Sequence, residues 1–375
     1  MGTAFYIILQ GKFMYKNSAF APTETFVMLL TAFLKNSESD FLIVVPNDIQ
    51  VSSPVDSYVK SVGGQVVTIV EAKKLEKKGF PEHIWVHSFG KANVAKELIE
   101  HFSIEYSIYS DGLKNELGRP KIEECFPEYQ SVLFFGFVWK KPFIKIAVPI
   151  RLCSFNDIVS AFHALKSIVG VQLFFTENDI TRDFLFLRYW GQGPGEFVSE
   201  LSYIDVIKNY LSLQNTSSVI LKGDSRIRAS STDAVLDGLG KEFDVVAFDD
   251  RVSFKYFDSG KPDKFFAEVM IPGEFNGRLH CFDSSLSVYA AVATDATIQF
   301  PDEDFIKSVF ANNDFASNAI TYTNLYRSVC EKVKLLKSSL SFNDKAVLVV
   351  ERAAGKFSVR ETFYDVDDDF TIGNI

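Results

Sequence analysis

Short apolar runs alternate with helix-like segments along the first 110 residues of the chain. The apolar runs have the length of β-strands and lie at residues 5–9, 41–45, 66–70, 84–87 and 104–109. Helical spacing of apolar positions occurs between them, at residues 24–33 and 92–101. Strands separated by helices of this length predict right-handed βαβ units and a parallel sheet. Ligands of such sheets bind beyond the carboxyl ends of the strands.

The same alternation begins again after residue 175. Strand-like runs are predicted at residues 184–189, 218–221, 245–248 and 280–282, with a helix at residues 203–213. The intervening and later segments are less regular, with strand-like runs at 134–139, 144–148, 346–351 and 357–362 and helical spacing at 157–169, 264–270 and 324–337. The fold class predicted is α/β, with two Rossmann-like lobes.

Three regions follow from this pattern. Residues 1–175 are predicted to form one Rossmann-like domain, and residues 176–320 are predicted to form a second. Residues 321–375 are a C-terminal extension that packs back across the lobes. The acidic stretch 365–369 within it is typical of a solvated tail rather than a metal site. The active site is expected in the cleft between the lobes.

Composition excludes several classes of function. The 375 residues are 47% hydrophobic and 23% charged, which is typical of a folded globular protein. The net charge of −9 and the lack of a long basic cluster disfavour nucleic-acid binding. The four cysteines form no CxxC pair, so neither a zinc site nor a disulfide framework is indicated.

The location expected from the sequence is cytoplasmic. The first ten residues are apolar but lack a basic leader and a small-residue cleavage site, which favours a strand over a signal peptide. No uninterrupted apolar run approaches the roughly 20 residues that span a bilayer. A membrane-spanning segment is therefore not expected, and peripheral association with the inner face of the membrane is left open.

Two motifs lie where predicted strands end. In Tyr109-Ser110-Asp111-Gly112, the carboxylate of Asp111 is a candidate general base, although Asp-Gly is also a common turn. In Lys222-Gly223-Asp224-Ser225-Arg226, the cations Lys222 and Arg226 could hold a phosphate. The spacing of this second motif does not match a Walker loop.

Three further positions have both a functional and a structural interpretation. Glu268, in an otherwise apolar segment, suits hydrogen bonding to ribose hydroxyls, or is an exposed helix residue. Ser284 and Ser285 would form an anion site with the amides of a following helix, or would be ordinary helix caps. Trp190, which precedes the glycine-rich segment 191–195, suits stacking on a sugar, or burial in the core.

The order of these elements resembles the bacterial sialyltransferases of GT-B fold. Those enzymes carry an acidic-acidic-Gly motif, then Lys-Gly-His-Pro, then Ser-Ser or Ser-Thr. Here the corresponding elements are Ser110-Asp111-Gly112, Lys222-Gly223 and Ser284-Ser285. The segment 265–290, FFAEVMIPGEFNGRLHCFDSSLSVYA, is similar to the part of that family that joins the ribose-binding glutamate to the phosphate-binding serines. The resemblance spans roughly residues 100–290 through short motifs.

The resemblance implies an inverting, metal-independent transfer of sialic acid from CMP-sialic acid to a glycan hydroxyl, with no cofactor. The domain 1–175 would be the acceptor-side domain, with Asp111 as the catalytic base, and the domain 176–320 would bind the nucleotide sugar. The donor-binding residues would be Lys222, Gly223, Asp224, Arg226, Glu268, Ser284 and Ser285. Trp190 would bind the acceptor glycan, which would belong to a cell-surface polysaccharide or lipooligosaccharide. The partners would therefore be a nucleotide-sugar donor and a glycan acceptor; the oligomeric state is left open.

One departure from the family pattern affects the mechanism. The His-Pro pair of the family is replaced by Asp224-Ser225, and an ionised aspartate would repel a phosphate. Arg226 or Arg228 could supply the missing charge, and His280 is a further substitute, although a packed histidine is the simpler interpretation.

Two alternatives stay open at this stage, and a third is weaker. The first is a GT-B transferase that uses CMP-Kdo or a UDP-sugar, and the second is a catalytically silent glycan-binding homologue. A Rossmann dehydrogenase is disfavoured because no GxGxxG follows the first predicted strand.

Overall fold

The structure of the chain is a computed structural model. It describes residues 15–37, 39–75, 79–87, 92–110, 126–140, 148–169, 171–173, 182–187, 198–223, 229–248, 252–254, 277–281, 284, 286–338, 346–353 and 356–363. The chain forms two compact units, the first of Met1–Leu165 with Tyr364–Ile375 and the second of Lys166–Phe363. The predicted domain boundaries near residues 175 and 320 stay predictions.

The first unit contains a parallel sheet with helices between its strands. Its strands are β1 (Asn17–Phe20), β2 (Phe41–Val45), β3 (Gly64–Thr68), β4 (His83–His87), β5 (Glu105–Tyr109), β6 (Val132–Phe135), β7 (Phe137–Lys140) and β8 (Ile150–Cys153). Its helices are α1 (Glu24–Leu34), α2 (Ser53–Ser61), α3 (Ile69–Ala72), α4 (Ala92–Phe102) and α5 (Phe155–Val169), the last of which continues into the second unit.

Seven of these strands form one sheet in the order β3-β2-β1-β4-β5-β6-β8. Every pairing within it is parallel. The order 3-2-1-4-5-6 is that of a Rossmann fold, in which the direction of winding reverses between β1 and β4. All five residues of β2 are buried, as expected for a central strand covered by helices on both faces.

The second unit repeats this architecture on a smaller scale. Its strands are β9 (Val171–Leu173), β10 (Asp183–Leu187), β11 (Ser218–Gly223), β12 (Asp244–Ala247), β13 (Val252–Phe254), β14 (Arg278–His280), β15 (Thr297–Gln299), β16 (Ala346–Ala353) and β17 (Lys356–Phe363). Its helices are α6 (Glu200–Leu213), α7 (Ala229–Leu239), α8 (Leu286–Ala293), α9 (Glu303–Val309) and α10 (Asn313–Ser338).

The main sheet of the second unit has the order β12-β11-β10-β14-β15, again parallel throughout. Here the winding reverses between β10 and β14, the same position as in the first sheet. Tyr203, Ile207 and Leu211 of α6 pack with Val219 and Leu221 of β11 in the core of this unit. The predicted fold class, α/β with two Rossmann-like sheets, is therefore confirmed. The strand pairs β9–β13 and β16–β17 are antiparallel.

Local chemistry explains where the observed strands differ from the predicted ones. The run at 66–70 ends at Thr68, because Thr68 and Glu71 form a reciprocal capping box that begins α3. The run at 134–139 is divided at Gly136, whose φ of +79° breaks the strand. The predicted segments 5–9 and 264–270, and most of 144–148, lie outside the described residues.

Five strands were not predicted, namely β1, β8, β9, β13 and β15, and two of them illustrate why. Asn17 and Ser18 make β1 half polar, although β1 is central to the first sheet. β15 has only three residues. Neither strand presents an apolar run long enough to be recognised from its composition alone.

Gly136 gives a direct test of this packing. We expect Gly136→Ala to lower the free energy of unfolding by about 2–4 kcal/mol, because a Cβ there would lie 2.4 Å from Phe155 and the backbone has a positive φ. Urea denaturation of the purified variant measures this. Gly79→Ala is the matched control, since its Cβ would meet nothing within 4 Å. Equal stability of the two variants would contradict the packing described for Gly136.

Candidate functional site

At the carboxyl edge of the first sheet, β5 ends at Tyr109. Ser110 follows it and directly precedes the predicted base Asp111. Ser110 is buried, and its backbone N–H donates to the carbonyl oxygen of Leu133 at 3.0 Å. This bond extends the β5–β6 ladder to the last described residue of the segment. Asp111 itself lies outside the described residues, so its role as a general base stays a prediction.

Aromatic side chains cluster at the carboxyl ends of β4 and β5, beside α1. The ring of Phe26, on α1, lies 4.8 Å from His87 and 5.6 Å from Tyr109 between centroids. Tyr109 is fully buried, and its hydroxyl donates to the carbonyl oxygen of Phe20 at 2.7 Å. A nucleotide bound to a Rossmann sheet occupies the crevice at the same edge. The first sheet is therefore poorly suited to hold one there, and the equivalent edge of the second sheet is the better candidate.

Two predicted donor-binding elements lie at the carboxyl edge of the second sheet. Lys222-Gly223 forms the end of β11, and Ser284 lies between β14 and α8. Only β10 separates β11 from β14, so these strand ends lie about 10 Å apart at the usual spacing of strands. The two elements thus flank the point at which the winding reverses.

Ser284 is oriented by the first turn of α8. Its Oγ accepts the backbone N–H of Leu286 at 3.3 Å, which leaves the hydroxyl proton available for another acceptor. Its carbonyl oxygen accepts the hydroxyl of Ser287 at 2.7 Å. The amino end of a helix carries a partial positive charge and unpaired N–H groups, so this arrangement favours an anion.

Lys222 contributes a positive charge to the same edge. Only 5% of the residue is exposed, and its Nζ lies 5.9 Å from the centroid of the Phe248 ring. Phe184 packs edge-on against Phe248, with centroids 5.4 Å apart. A cation over an aromatic face is favourably placed, and burial strengthens its attraction to a nearby anion.

The structure therefore describes three of the predicted site residues: Lys222, Gly223 and Ser284. It brings them to one edge of one sheet. The other six lie outside the described residues, and their roles stay predictions: Asp111, Trp190, Asp224, Arg226, Glu268 and Ser285.

The side chain of His280 contacts Asp183 and Tyr210 and does not contribute to this edge. Its Nε2 lies 3.0 Å from Oδ2 of Asp183, at the amino end of β10, and its Nδ1 lies 3.0 Å from the hydroxyl of Tyr210. A proton on Nε2 satisfies both contacts, with Tyr210 as the donor to Nδ1. Only 1% of His280 is exposed. It is a packed, structural histidine, and it does not replace the missing family histidine.

Asp183 is the centre of this buried network, which the sequence did not predict. Arg278 donates from Nε to Oδ1 at 2.9 Å and from Nη2 to Oδ2 at 2.6 Å, and the hydroxyl of Thr216 donates to Oδ2. Burial acts to raise the pKa of Asp183, but the hydrogen bonds from His280, Thr216 and Arg278 outweigh it and hold the pKa below its ordinary value. Residues 33 to 97 positions apart in sequence form this network, so no local motif indicates it.

A separate cavity of about 620 Å³ lies along β15 and the facing side of α10. Its walls include Phe300, Arg327 and Lys334, and it contains none of the predicted site residues. Lys337 at its rim donates to the carbonyl oxygens of Ala291 and Thr294, which caps the carboxyl end of α8.

The described part of the chain lacks two features. Within it, no three His, Cys, Asp or Glu side chains form a cluster that could hold a metal ion. Also within it, every helix is too short or too polar to cross a membrane.

No protein-family model matches this chain, and no curated protein sequence is similar to it. Among solved structures, a protein described as a UDP-N-acetylglucosamine 2-epimerase from Listeria monocytogenes is similar, with 10% identity, a TM-score of 0.42, and coverage of 87% of this chain and 89% of that one. HepE from Anabaena, with UDP and glucose, has 6% identity and a TM-score of 0.40 over 87% of this chain and 99% of that one. The HepE complex with UDP-glucose has 10% identity and a TM-score of 0.41 over 86% and 99%.

These likenesses are too weak to indicate what the chain binds. Its class is defined by its own strand order, as an α/β protein with two Rossmann-like parallel sheets.

The Asp183 network predicts a specific dependence of stability on pH. We expect Asp183→Asn to lower the free energy of unfolding by about 3 kcal/mol near neutral pH, because Arg278 and His280 lose a buried anionic partner. The folded-state pKa of Asp183 lies below the unfolded value of 3.8. The stabilisation is therefore complete above about pH 5 and decreases as the pH falls through the folded pKa.

Urea denaturation at several pH values measures this difference. Asp244→Asn is the control, because Asp244 pairs with Arg182 through a largely exposed carboxylate and should cost less than about 1 kcal/mol. A deficit in Asp183→Asn that is equal at pH 7 and pH 3 would contradict the assignment.

Proposed function

We propose that this chain is a nucleotide-sugar-dependent glycosyltransferase of GT-B type that transfers a sugar to a glycan hydroxyl. The observation that supports the proposal most directly is that one sheet edge carries both Ser284, at the amino end of α8, and the buried Lys222. This edge flanks the reversal of winding in the second sheet, where open α/β folds bind their ligands.

The donor phosphate would bind at the amino end of α8. The Ser284 hydroxyl would donate its proton to a phosphate oxygen while its own oxygen continues to accept the Leu286 N–H. Lys222 would add a positive charge about two strands away. Donors fixed before the reaction stabilise the charge that develops on a departing phosphate without reorganisation.

The acceptor would be activated by Asp111 of the first unit. Its carboxylate would take the proton of the acceptor hydroxyl as the acceptor oxygen forms a bond to the anomeric carbon. The bond from that carbon to the phosphate oxygen would break, and the electron pair would leave with the nucleotide. This single displacement inverts the anomeric configuration. It requires no metal when the leaving group carries a single phosphate, as in CMP.

The sequence resemblance favours CMP-sialic acid as the donor, and a UDP-sugar is the alternative. Asp224 stands where the sialyltransferases have a phosphate-contacting histidine, which weakens the case for CMP-sialic acid. UDP-glucose represents the UDP-sugars as a comparison ligand. The CMP and UDP donors share the phosphate chemistry described above, and a binding experiment separates them.

Calorimetry with CMP, CMP-sialic acid, UDP and UDP-glucose tests the donor site. We expect micromolar binding of one nucleotide class, and a loss of about 10- to 100-fold in affinity in Ser284→Ala, because a charge-assisted hydrogen bond to phosphate is removed. Ser308→Ala is the control, because the hydroxyl of this serine of α9 donates to the carbonyl oxygen of Phe305 and lies outside the proposed site. Binding unaffected by Ser284→Ala would exclude this anion site, and no binding of any nucleotide would exclude the proposed function.

Asp111→Asn tests the proposed base. We expect kcat for sugar transfer to fall by about 10²- to 10⁴-fold, with the donor Kd unchanged, because general base catalysis contributes on this scale and the donor binds elsewhere. Radiolabelled donor and a panel of oligosaccharide acceptors measure transfer, with and without EDTA. Full activity in Asp111→Asn would remove Asp111 from the mechanism, and loss of wild-type activity in EDTA would contradict the metal-independent reaction.

A further inference from the structure

The cavity between β15 and α10 has the dimensions of a ligand site. Its volume of about 620 Å³ lies within the range of about 300–1,000 Å³ that is typical of sites for small molecules. One wall includes β15 and the residues on either side of it, from Thr294 to Phe300, and the facing wall is a side of α10 from Arg327 to Lys337. None of the residues that line it has a role in the proposed transfer reaction, so its own chemistry has to indicate what it binds.

The strand β15 presents an unpaired peptide edge on this side. It is the last strand of its sheet, and towards β14 the N–H of Thr297 donates to the carbonyl oxygen of Gly277 at 2.9 Å. The carbonyl oxygen of Gln299 accepts the N–H of Cys281 at 3.1 Å. Peptide groups of successive residues in a strand point to opposite sides, so the N–H and the carbonyl of Ile298 point away from β14. Ile298 lines the cavity, and within the described residues no strand pairs with β15 on that side. A ligand there meets one backbone donor and one backbone acceptor.

Arg327 is held in a fixed position on the facing wall. Its Nη1 donates to Oδ1 of Asn324 at 2.8 Å, and its Nη2 donates to the carbonyl oxygen of Pro301 at 3.2 Å. Its Cζ lies 5.7 Å from the centroid of the Phe300 ring. A guanidinium group has five N–H bonds, so three of them remain to donate to a ligand. The planar cation and the ring beside it are thus arranged in advance for an anion that carries a planar part.

The lining of the cavity carries an excess of positive charge, although the chain as a whole has a net charge of −9. Three cations, Arg327, Lys334 and Lys337, lie with two carboxylates, Asp295 and Glu331. Lys337 is occupied by the carboxyl end of α8 and by Asp295, whose Oδ1 is 3.6 Å from its Nζ. Within the described part of the chain, neither Arg327 nor Lys334 forms an ion pair. These two cations lie two helical turns apart, about 10 Å along the axis, which long side chains can bridge.

We propose that this cavity binds a small organic anion, whose carboxylate or phosphate group contacts Arg327 and Lys334 and whose planar part packs against Phe300. The peptide edge at Ile298 adds hydrogen bonds that fix the orientation of the ligand. The site is separate from the proposed donor site, because it lies at the carboxyl end of α8 whereas Ser284 precedes the amino end, about 12 Å away along an eight-residue helix. The inference does not depend on the proposed function.

Calorimetric titration with phenyl phosphate, benzoate and inorganic phosphate tests this inference. We expect at least one of the two organic anions to bind with a Kd of roughly 1 mM or below, which is ordinary for a ligand of this size. Inorganic phosphate should bind at least about 5-fold more weakly than phenyl phosphate, because it has no ring to pack against Phe300. The preference between phenyl phosphate and benzoate identifies the anionic group that the cavity takes.

Lys334→Glu tests where the anion binds. We expect it to weaken binding of the organic anion by about 10-fold or more, because an attractive charge becomes a repulsive one. Lys332→Glu is the matched control, since it makes the same change of charge on the same helix at a residue outside the lining of the cavity. It should leave the Kd within about twofold of the wild-type value, because exposed charges at a distance are screened. Hydrogen–deuterium exchange in residues 296–300 should become slower when the anion is bound.

Absence of binding by both organic anions would overturn the inference, and so would equal weakening in Lys334→Glu and Lys332→Glu, which indicates a general effect of charge. Ser284→Ala distinguishes this cavity from the donor site. Loss of phenyl phosphate binding in Ser284→Ala would place the anion at the amino end of α8, which would overturn the inference and support the proposed donor site. Binding that is kept in Ser284→Ala and lost in Lys334→Glu would support the inference, whether or not the protein transfers a sugar.

Discussion

Both units of this chain are organised around one pair of parallel neighbouring strands, β1 with β4 and β10 with β14. The strand order reverses its winding at each pair, and right-handed crossovers then place the flanking helices on opposite faces. Loops on the two sides of such a pair diverge, which opens a crevice at the carboxyl edge. The location of the three described site residues follows from this constraint, because Lys222 and Gly223 end β11 and Ser284 lies in the loop beyond β14.

The side chains at the two crevices differ in their chemical character. In the first unit, Phe26, His87 and Tyr109 pack together and occupy the space with aromatic rings. In the second, Ser284 has a hydroxyl proton free to donate, and Lys222 brings a buried positive charge. An anionic nucleotide is matched by the second arrangement and not by the first. The proposed donor site therefore belongs to the second unit.

Sequence patterns predicted the fold well where one residue type dominates a strand. β2 is a continuous apolar run and was predicted at its observed bounds, whereas β1 contains Asn17 and Ser18 and was missed. The strand end at Thr68 depends on a reciprocal bond with Glu71, and the break at Gly136 depends on a positive φ. Ser284 and Lys222 were predicted as site residues because they follow predicted strands, and the structure places both at one sheet edge. The Asp183 network joins residues distant in sequence and required the three-dimensional structure.

Hydrogen–deuterium exchange with and without nucleotide tests most directly where the donor binds. The account predicts that CMP or UDP slows exchange in β11 and in the first turn of α8, while exchange in β1, β4 and β5 stays unchanged. Slower exchange confined to those strands of the first sheet would place the nucleotide in the aromatic crevice and contradict the assignment of the donor site to the second unit.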